Sequence, residues 1–157
     1  MKITLLYIGK TDKKELLDLC EMYYARISKY ISFQPVTIPD IKNSKNMSIE
    51  QVATLEGNEI IKKLKPTDYL VLLDENGKET TSRDFAVYLN KRMVSGCRNL
   101  CFVIGGAYGF SDEVYAAAHD RLSLSKMTFS HQLVRLIFAE QLYRAFSILA
   151  NEPYHHD

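Results

Sequence analysis

The chain has 157 residues, a formal net charge of +1, 46% hydrophobic residues and 25% charged residues. This length and composition fit one folded domain with its own core, and they exclude a disordered or collagen-like chain. The chain also has no long basic tail for gripping bare nucleic acid and no uncharged apolar run of about 18 residues that could span a membrane.

Apolar runs and helical periodicity predict strands and helices that alternate along the first half of the chain. The short apolar stretch at the N-terminus is typical of a first strand in a cytoplasmic protein rather than of a signal peptide. The predicted elements are a strand at 2–8, a helix at 13–31, a strand at 33–38, a polar loop at 40–47 and a helix at 48–64 with Ser48 as its N-cap.

The same alternation continues through the second half. The predicted elements are a strand at 69–73, a turn at Asn76-Gly77, a helix at 82–93 capped by Ser82, a strand at 100–104, a helix from Ser111, a short strand and loop at 122–129, and a final helix at 131–150 with Ser130 as its N-cap. Apolar strands that alternate with helices predict an α/β fold, with a mostly parallel sheet and helices on both faces. No repeat or linker divides residues 1–157, so we expect a single domain.

Three cysteines, Cys20, Cys97 and Cys101, are too few and too widely spaced for a disulfide framework. No histidine stands near Cys97 and Cys101 to complete a zinc site. We therefore expect three packing residues and no metal.

A glycine-rich turn follows the predicted strand at 100–104. Gly105, Gly106 and Gly109 allow a tight turn and a close approach of the backbone to a ligand. Asp112 and Glu113 come directly after this turn and would repel a phosphate, so a neutral or cationic ligand fits better than a nucleotide phosphate. The alternative is an ordinary strand-to-helix turn.

The segment before the final helix is a second candidate site. Its small polar residues and exposed backbone from Leu124 to Phe129 could supply main-chain hydrogen bonds to a ligand, and His131 follows at the helix start. The alternative is an ordinary loop with a helix cap.

The final helix is apolar on nearly every side, which predicts that it packs on the sheet and on a partner subunit. Glu140 and Arg144 are four residues apart, so Arg144 either pairs with Glu140 or binds substrate. Tyr154 and His155 follow the helix. They are candidates for base stacking and proton transfer, and the alternative is a solvated, frayed terminus.

Four motifs together resemble the SPOUT-class methyltransferases of the RlmH type, over the whole chain. The motifs are F-V-I-G-G-x-x-G at 102–109, L-S-x-S-K-M-T-x-x-H-Q-L-x-R at 122–135, E-Q-x-Y-R-A-x-x-I at 140–148, and the Pro-Tyr-His tail at 153–155. The resemblance implies a C-terminal trefoil knot, a homodimer and S-adenosylmethionine as the methyl donor. It also implies methylation of N3 of a pseudouridine in large-subunit ribosomal RNA, on the assembled ribosome.

Carried onto this chain, the resemblance also implies which residues form the site. The implied cofactor-binding residues are Leu73, Gly105, Gly106, Gly109, Leu124, Ser125, Lys126, Met127, Thr128 and Phe129. The implied catalytic, substrate-side residues are His131, Arg135, Arg144, Tyr154 and His155. Either histidine could accept the N3 proton, and an arginine could stabilise the developing anion.

Two other classes of function remain open from the residues alone. One is a non-enzymatic α/β module that binds a nucleotide or metabolite at the glycine turn. The other is a small nicotinamide-dependent oxidoreductase, which the acidic residues after the turn disfavour.

Overall fold

The computed structural model describes residues 1–157. Five strands form one sheet in the order β2-β1-β4-β3-β5, and every adjacent pair is parallel. The strands are β1 (Lys2–Ile8), β2 (Ser32–Ile38), β3 (Asp68–Glu79), β4 (Asn99–Ile104) and β5 (Asp120–Ser123). The predicted parallel α/β fold is confirmed.

Helices cover both faces of the sheet, because side chains along each strand alternate between two apolar clusters. On β1, Leu5 packs in the cluster with α1, α3 and α5, whereas Leu6 packs in the cluster with α2 and α4. The helices are α1 (Lys14–Ile27), α2 (Ile49–Lys63), α3 (Ser82–Val94), α4 (Asp112–Ala117) and α5 (Leu133–Leu149), and the predicted polar loop contains a short 3₁₀ helix (Ser44–Asn46). None of the helices is both long and apolar enough to cross a membrane.

The predicted cap of α2 is correct, whereas those of α3 and α5 are not. The Ser48 hydroxyl accepts a hydrogen bond from the Gln51 amide at 3.1 Å, and the Gln51 side chain accepts one from the Ser48 amide at 2.9 Å, which completes a capping box. Ser82 does not cap α3. Thr81 does, because its hydroxyl accepts the Asp84 amide at 3.0 Å.

Helix α1 ends at Ile27, four residues before the predicted end at Ile31. The Ser28 hydroxyl donates to the Tyr24 carbonyl at 2.8 Å, and the next residues form a tight turn that leads into β2. In that turn Tyr30 stacks on Phe146 of α5, with 5.9 Å between ring centroids. This long-range packing ends the helix where the apolar spacing alone would extend it.

Strand β3 runs through the predicted turn at Asn76-Gly77, so that prediction is wrong. Leu73 and Lys78 both align with Leu122 of β5, and residues 74–77 therefore form a bulge. A Cβ on Gly77 would lie 2.8 Å from main-chain atoms of β5, so the glycine permits close approach of two strands rather than a hairpin turn. Strand β5 ends at Ser123, and the rest of the predicted 122–129 segment is a loop.

Helix α5 lies on the sheet between α1 and α3. Packing within one chain therefore explains why α5 is apolar on nearly every side. The sequence pattern alone could not distinguish such packing from a subunit interface. The helix begins at Leu133 rather than His131, and its N-cap is Gln132, so the predicted cap at Ser130 is wrong. The Ser130 hydroxyl accepts the Leu133 amide at 3.0 Å from the turn that precedes the helix. The buried apolar residues of α5 are Phe138, Ala139, Leu142, Ala145 and Phe146.

Candidate functional site

A cavity of about 640 Å³ opens at the carboxyl ends of β3 and β4. This volume lies within the range of about 300–1,000 Å³ that is usual for small-molecule sites. Ligands of open parallel sheets bind at this edge. Nine of the ten predicted cofactor-binding residues line the cavity: Leu73, Gly105, Gly106, Gly109, Leu124, Ser125, Met127, Thr128 and Phe129. The tenth, Lys126, does not line it, and its ammonium lies 3.9 Å from Glu79.

The glycine turn forms one wall of the cavity, directly after β4. It is closed by a hydrogen bond of 3.2 Å from the Gly109 amide to the Gly106 carbonyl. A Cβ on Gly106 would lie 2.5 Å from Oε2 of Glu56 on α2, and Glu56 does not line the cavity. Gly106 therefore lies between the cavity and the Glu56 carboxyl of α2, and a side chain at this position would displace that carboxyl.

The loop from Leu124 to Phe129 forms the opposite wall. Within it, Ser125 accepts the Met127 amide on its hydroxyl at 3.0 Å, and the Ser125 carbonyl accepts the Ser123 hydroxyl at 2.9 Å. The other peptide groups of this loop make no hydrogen bond within the chain. They are free to bind the polar edge of a ligand.

Two carboxylates from the β3 bulge, Asp74 and Glu75, give the cavity a negative wall. Asp74 accepts hydrogen bonds from the Tyr115 hydroxyl at 2.9 Å and the Asn76 amide at 3.0 Å, and Glu75 accepts one from Thr128 at 2.6 Å. Burial, with the hydrogen bond to Asp74, raises the pKa of Tyr115 to about 12, so the phenol stays a donor. No lysine or arginine lines the cavity. This charge arrangement favours a cationic ligand.

Sequence reasoning missed both of these carboxylates. It assigned the negative charge near the turn to Asp112 and Glu113, which do not line the cavity. The signal was present, because Asp74 and Glu75 directly follow the apolar run of a buried parallel strand, where side chains reach the ligand-binding edge.

His131 lines the cavity, but Arg135 does not. Arg135 is 0% exposed, and its guanidinium donates to the carbonyls of Ile8 at 2.6 Å and Gly9 at 3.0 Å, at the end of β1. Its Nε donates to the His131 carbonyl at 3.1 Å. A side chain enclosed in this way does not touch a substrate, so we correct its role from substrate contact to positioning of His131.

The remaining predicted residues form a second group at the other end of α5. Arg144 pairs with Glu140, with 3.0 Å between Nε and Oε1, so the predicted helix pair forms. Tyr154 donates to the same Glu140 oxygen at 3.2 Å, and its ring lies 4.6 Å from that of Tyr143. The C-terminal tail is therefore docked on the helix and is not a frayed terminus.

The ring of His155 is held on both nitrogens. An arginine can only donate, so Nδ1 accepts from Arg144 Nη1 at 3.2 Å, and the proton is assigned to Nε2, which donates to Asp157 Oδ1 at 3.0 Å. Hydrogen bonds from Arg83 hold the pKa of Asp157 below its usual value, which keeps this partner a carboxylate acceptor. His155 can accept a substrate proton only by giving up its contact with Arg144.

One chain does not bring the two groups together. Val134 lines the cavity, whereas Arg144 lies ten residues further along α5. At about 1.5 Å per residue, the helix separates them by about 15 Å. A site that uses both groups needs a second copy of the chain or a substrate that reaches both.

Comparison with known proteins agrees with this architecture. Residues 1–155 match the family model described as "Predicted SPOUT methyltransferase". The fold is similar to the structure of a probable methylase family protein from Haemophilus influenzae, with a TM-score of 0.55 and 13% identity over 99% of this chain and 70% of that one.

Similarity to curated proteins extends over the full length. The chain is 56% identical to a protein of Christiangramia forsetii over 99% of both chains, and 56% identical to one of Parabacteroides distasonis over 100% of both. A Porphyromonas gingivalis protein is 52% identical over 100% of both chains. All three are named Ribosomal RNA large subunit methyltransferase H. The protein is a methyltransferase, and its chain belongs to the SPOUT family.

Proposed function

We propose that this methyltransferase transfers a methyl group from S-adenosylmethionine to N3 of a pseudouridine in large-subunit ribosomal RNA, in the cell interior and on the assembled ribosome. The observation that carries the proposal is full-length similarity, at 56% identity, to proteins named for large-subunit ribosomal RNA methylation. We also propose that residues 1–157 act as one SPOUT domain.

The residues around the cavity fit S-adenosylmethionine. When bound, this donor supplies a methyl group activated by a positively charged sulfonium, so the protein's main task is to position two atoms. Asp74 and Glu75 match the positive charge, and the free peptide groups of 124–129 match the hydrogen-bonding edge of adenine. The negative wall fits NAD and ATP poorly because both carry phosphates.

The second group of residues, Arg144, Tyr154 and His155, fits the part of the reaction that takes place on the nucleobase. The N3–H bond of the pseudouridine must break as the new N–CH₃ bond forms, and His155 or His131 is the proton acceptor in this proposal. Arg144, beside His155, carries the positive charge that would stabilise the nucleobase anion. Tyr154 offers a ring for stacking on a base.

We further propose a homodimer in which the tail of one subunit completes the cavity of the other. Leu19 and Met22 of α1 and Leu133 of α5 are 45%, 38% and 44% exposed, on two helices that pack side by side. Exposed apolar side chains on adjacent helices are a suitable interface for a two-fold dimer. The separation of the two groups within one chain supports the same arrangement.

We expect Asp74→Asn and Glu75→Gln each to weaken S-adenosylmethionine binding by about fivefold, since removing one nearby charge in a hydrated site changes the energy by about 1 kcal/mol. The variants should lose less affinity for S-adenosylhomocysteine, because this product has no sulfonium charge. Calorimetry with both ligands measures how much affinity each variant loses for each of them. The matched control is Glu79→Gln, which removes the same charge from an exposed position on β3. Equal losses for both ligands would contradict the assigned role of the carboxylates.

We expect a mass of about 36 kDa by light scattering at micromolar concentration, twice the chain mass of 18.0 kDa. Leu19→Glu should shift the protein toward monomer because it places a charge on the proposed apolar interface. Val94→Glu, at an exposed position on α3, should leave the mass unchanged. A wild-type monomer with full activity would refute the dimer.

The shared site has its own test. A subunit with a blocked cavity and a subunit without residues 154–157 should each be inactive as homodimers. Mixing and re-equilibrating them should restore activity, because one hybrid site then has an intact cavity and an intact tail. Failure to recover any activity would show that each chain works alone.

The proposed function is tested by methyl transfer from labelled donor to intact ribosomes, isolated large subunits and free ribosomal RNA, all from cells lacking this enzyme. We expect labelling of intact ribosomes at N3 of one pseudouridine, located by mass spectrometry of the digested RNA. Labelling at another atom, or only of free RNA, would overturn the corresponding part of the proposal.

A further inference from the structure

A buried carboxyl group on α2 has no part in the site described so far. Glu56 is only 8% exposed, and its Oε2 is fully enclosed without a hydrogen-bond partner. A buried carboxylate without a donor is unfavourable, because it has lost water and gained nothing in exchange. Such a group needs an explanation from its surroundings.

The Glu56 carboxyl lies against the cofactor turn. A Cβ on Gly106 would be 2.5 Å from Oε2, 2.6 Å from Oε1 and 2.8 Å from Cδ. The carboxyl therefore occupies the space that a side chain at position 106 would fill. It packs against the glycine turn without lining the cavity.

The charges around Glu56 favour its neutral form. Asp40, in the segment after β2, is the charged residue whose electrostatic repulsion raises the pKa of Glu56. Ser111 and Val114, which contact α2 at the neighbouring Gly57, carry no charge. Burial, with the negative charge of Asp40, raises the pKa of Glu56 to about 7. The carboxyl therefore changes charge near neutral pH.

We propose that Glu56 is a positioning residue that holds the glycine turn in its donor-binding shape when protonated and releases it on ionisation. A neutral carboxyl can rest against the Gly106 backbone. A carboxylate in the same place has no hydrogen-bond donor and is repelled by Asp40. It therefore moves toward water and no longer packs against the glycine turn. This inference rests on the proposed function of the cavity as the S-adenosylmethionine site.

The sign of the pH dependence follows from linkage. The pKa of Glu56 is raised in the folded protein, so its contribution to stability and to donor binding is present at low pH and is lost as pH rises through about 7. If donor binding raises this pKa by one further unit, affinity should fall by up to about tenfold between pH 6 and pH 9.

The test is calorimetric titration of S-adenosylmethionine into full-length wild type and Glu56→Gln from pH 6 to pH 9. The amide keeps the shape of the neutral acid, so the two proteins should bind equally at pH 6, and the variant should bind up to about tenfold more tightly at pH 9. The other ionisable groups are the same in both proteins, so their effects on affinity cancel in the ratio of the two affinities. Glu59→Gln, on the same helix but half-exposed and paired with Lys62, is the control and should follow wild type.

Parallel profiles for wild type and Glu56→Gln would overturn the inference while leaving the proposed function intact. Absence of donor binding by wild type at every pH would instead overturn the proposed function. A second measurement does not depend on the variant folding. Carbon-13 NMR of the wild-type glutamate carboxyls should show one midpoint near pH 7 that rises when donor is added. If every glutamate titrates below about pH 5.5, or the midpoint does not move, the inference is wrong.

Discussion

Replacing His155 by alanine is expected to lower the single-turnover rate of ribosome methylation by about 100- to 10,000-fold, the usual effect of losing a positioned acid or base. The ring is oriented by Arg144 on one nitrogen and by Asp157 on the other, which is the arrangement expected of a group whose direction matters. Donor binding should be unchanged, because His155 is assigned to the substrate side of the site and not to the residues that hold the donor.

His156 offers a matched control for this measurement. It is exposed and makes no hydrogen bond within the chain, so His156→Ala should leave the rate within about threefold of wild type, as expected for a solvated surface residue. Tyr154→Ala should slow the reaction, while Tyr154→Phe, which keeps the ring, should retain most of the rate if stacking is its role. If His155→Ala and Tyr154→Ala both react at the wild-type rate, the tail is not part of the active site. His131 and Arg144 then become the leading candidates.

Replacing Arg135 by alanine is expected to lower the free energy of unfolding by about 3–5 kcal/mol, because each buried carbonyl that loses its donor costs about 1–3 kcal/mol. The change removes donors from the carbonyls of Ile8, Gly9 and His131 and from the face of Tyr7, which lies 4.2 Å below the guanidinium. For a chain of this size each kcal/mol lowers Tm by about 2–4 °C, so we expect a loss of about 6–20 °C.

Chemical denaturation of Arg135→Ala and of a surface control measures this effect. Arg98 is exposed and its side chain makes no hydrogen bond, so Arg98→Ala should stay within about 0.5 kcal/mol of wild type. If Arg135→Ala is as stable as wild type but inactive, Arg135 contacts the substrate after all. Loss of stability together with a lower rate per folded molecule would support the positioning role, whereas loss of stability with a normal rate would show that Arg135 is purely structural.

The sequence alone determined the order of strands and helices, because strands buried on both faces need continuous apolar runs and helices that cover a sheet need an apolar stripe. It also located the cavity. The carboxyl ends of parallel strands meet at one edge of a sheet. Strands end just before Gly105 and Leu124, and a helix begins just after His131. The trefoil knot stays a prediction of the resemblance, since local patterns carry no information about threading.

Only the tertiary structure decided which charged residues face the ligand and which lie inside the fold. Arg135 is one helical turn beyond His131, and its burial depends on carbonyls at the end of β1 and just after it, more than 120 residues away in the chain. The bulge that turns Asp74 and Glu75 into the cavity exists because β5 pairs on both sides of it. The contact between Glu56 and Gly106 joins α2 to the end of β4. Each of these placements depends on packing between distant segments, whereas periodicity reports only the face that a segment buries.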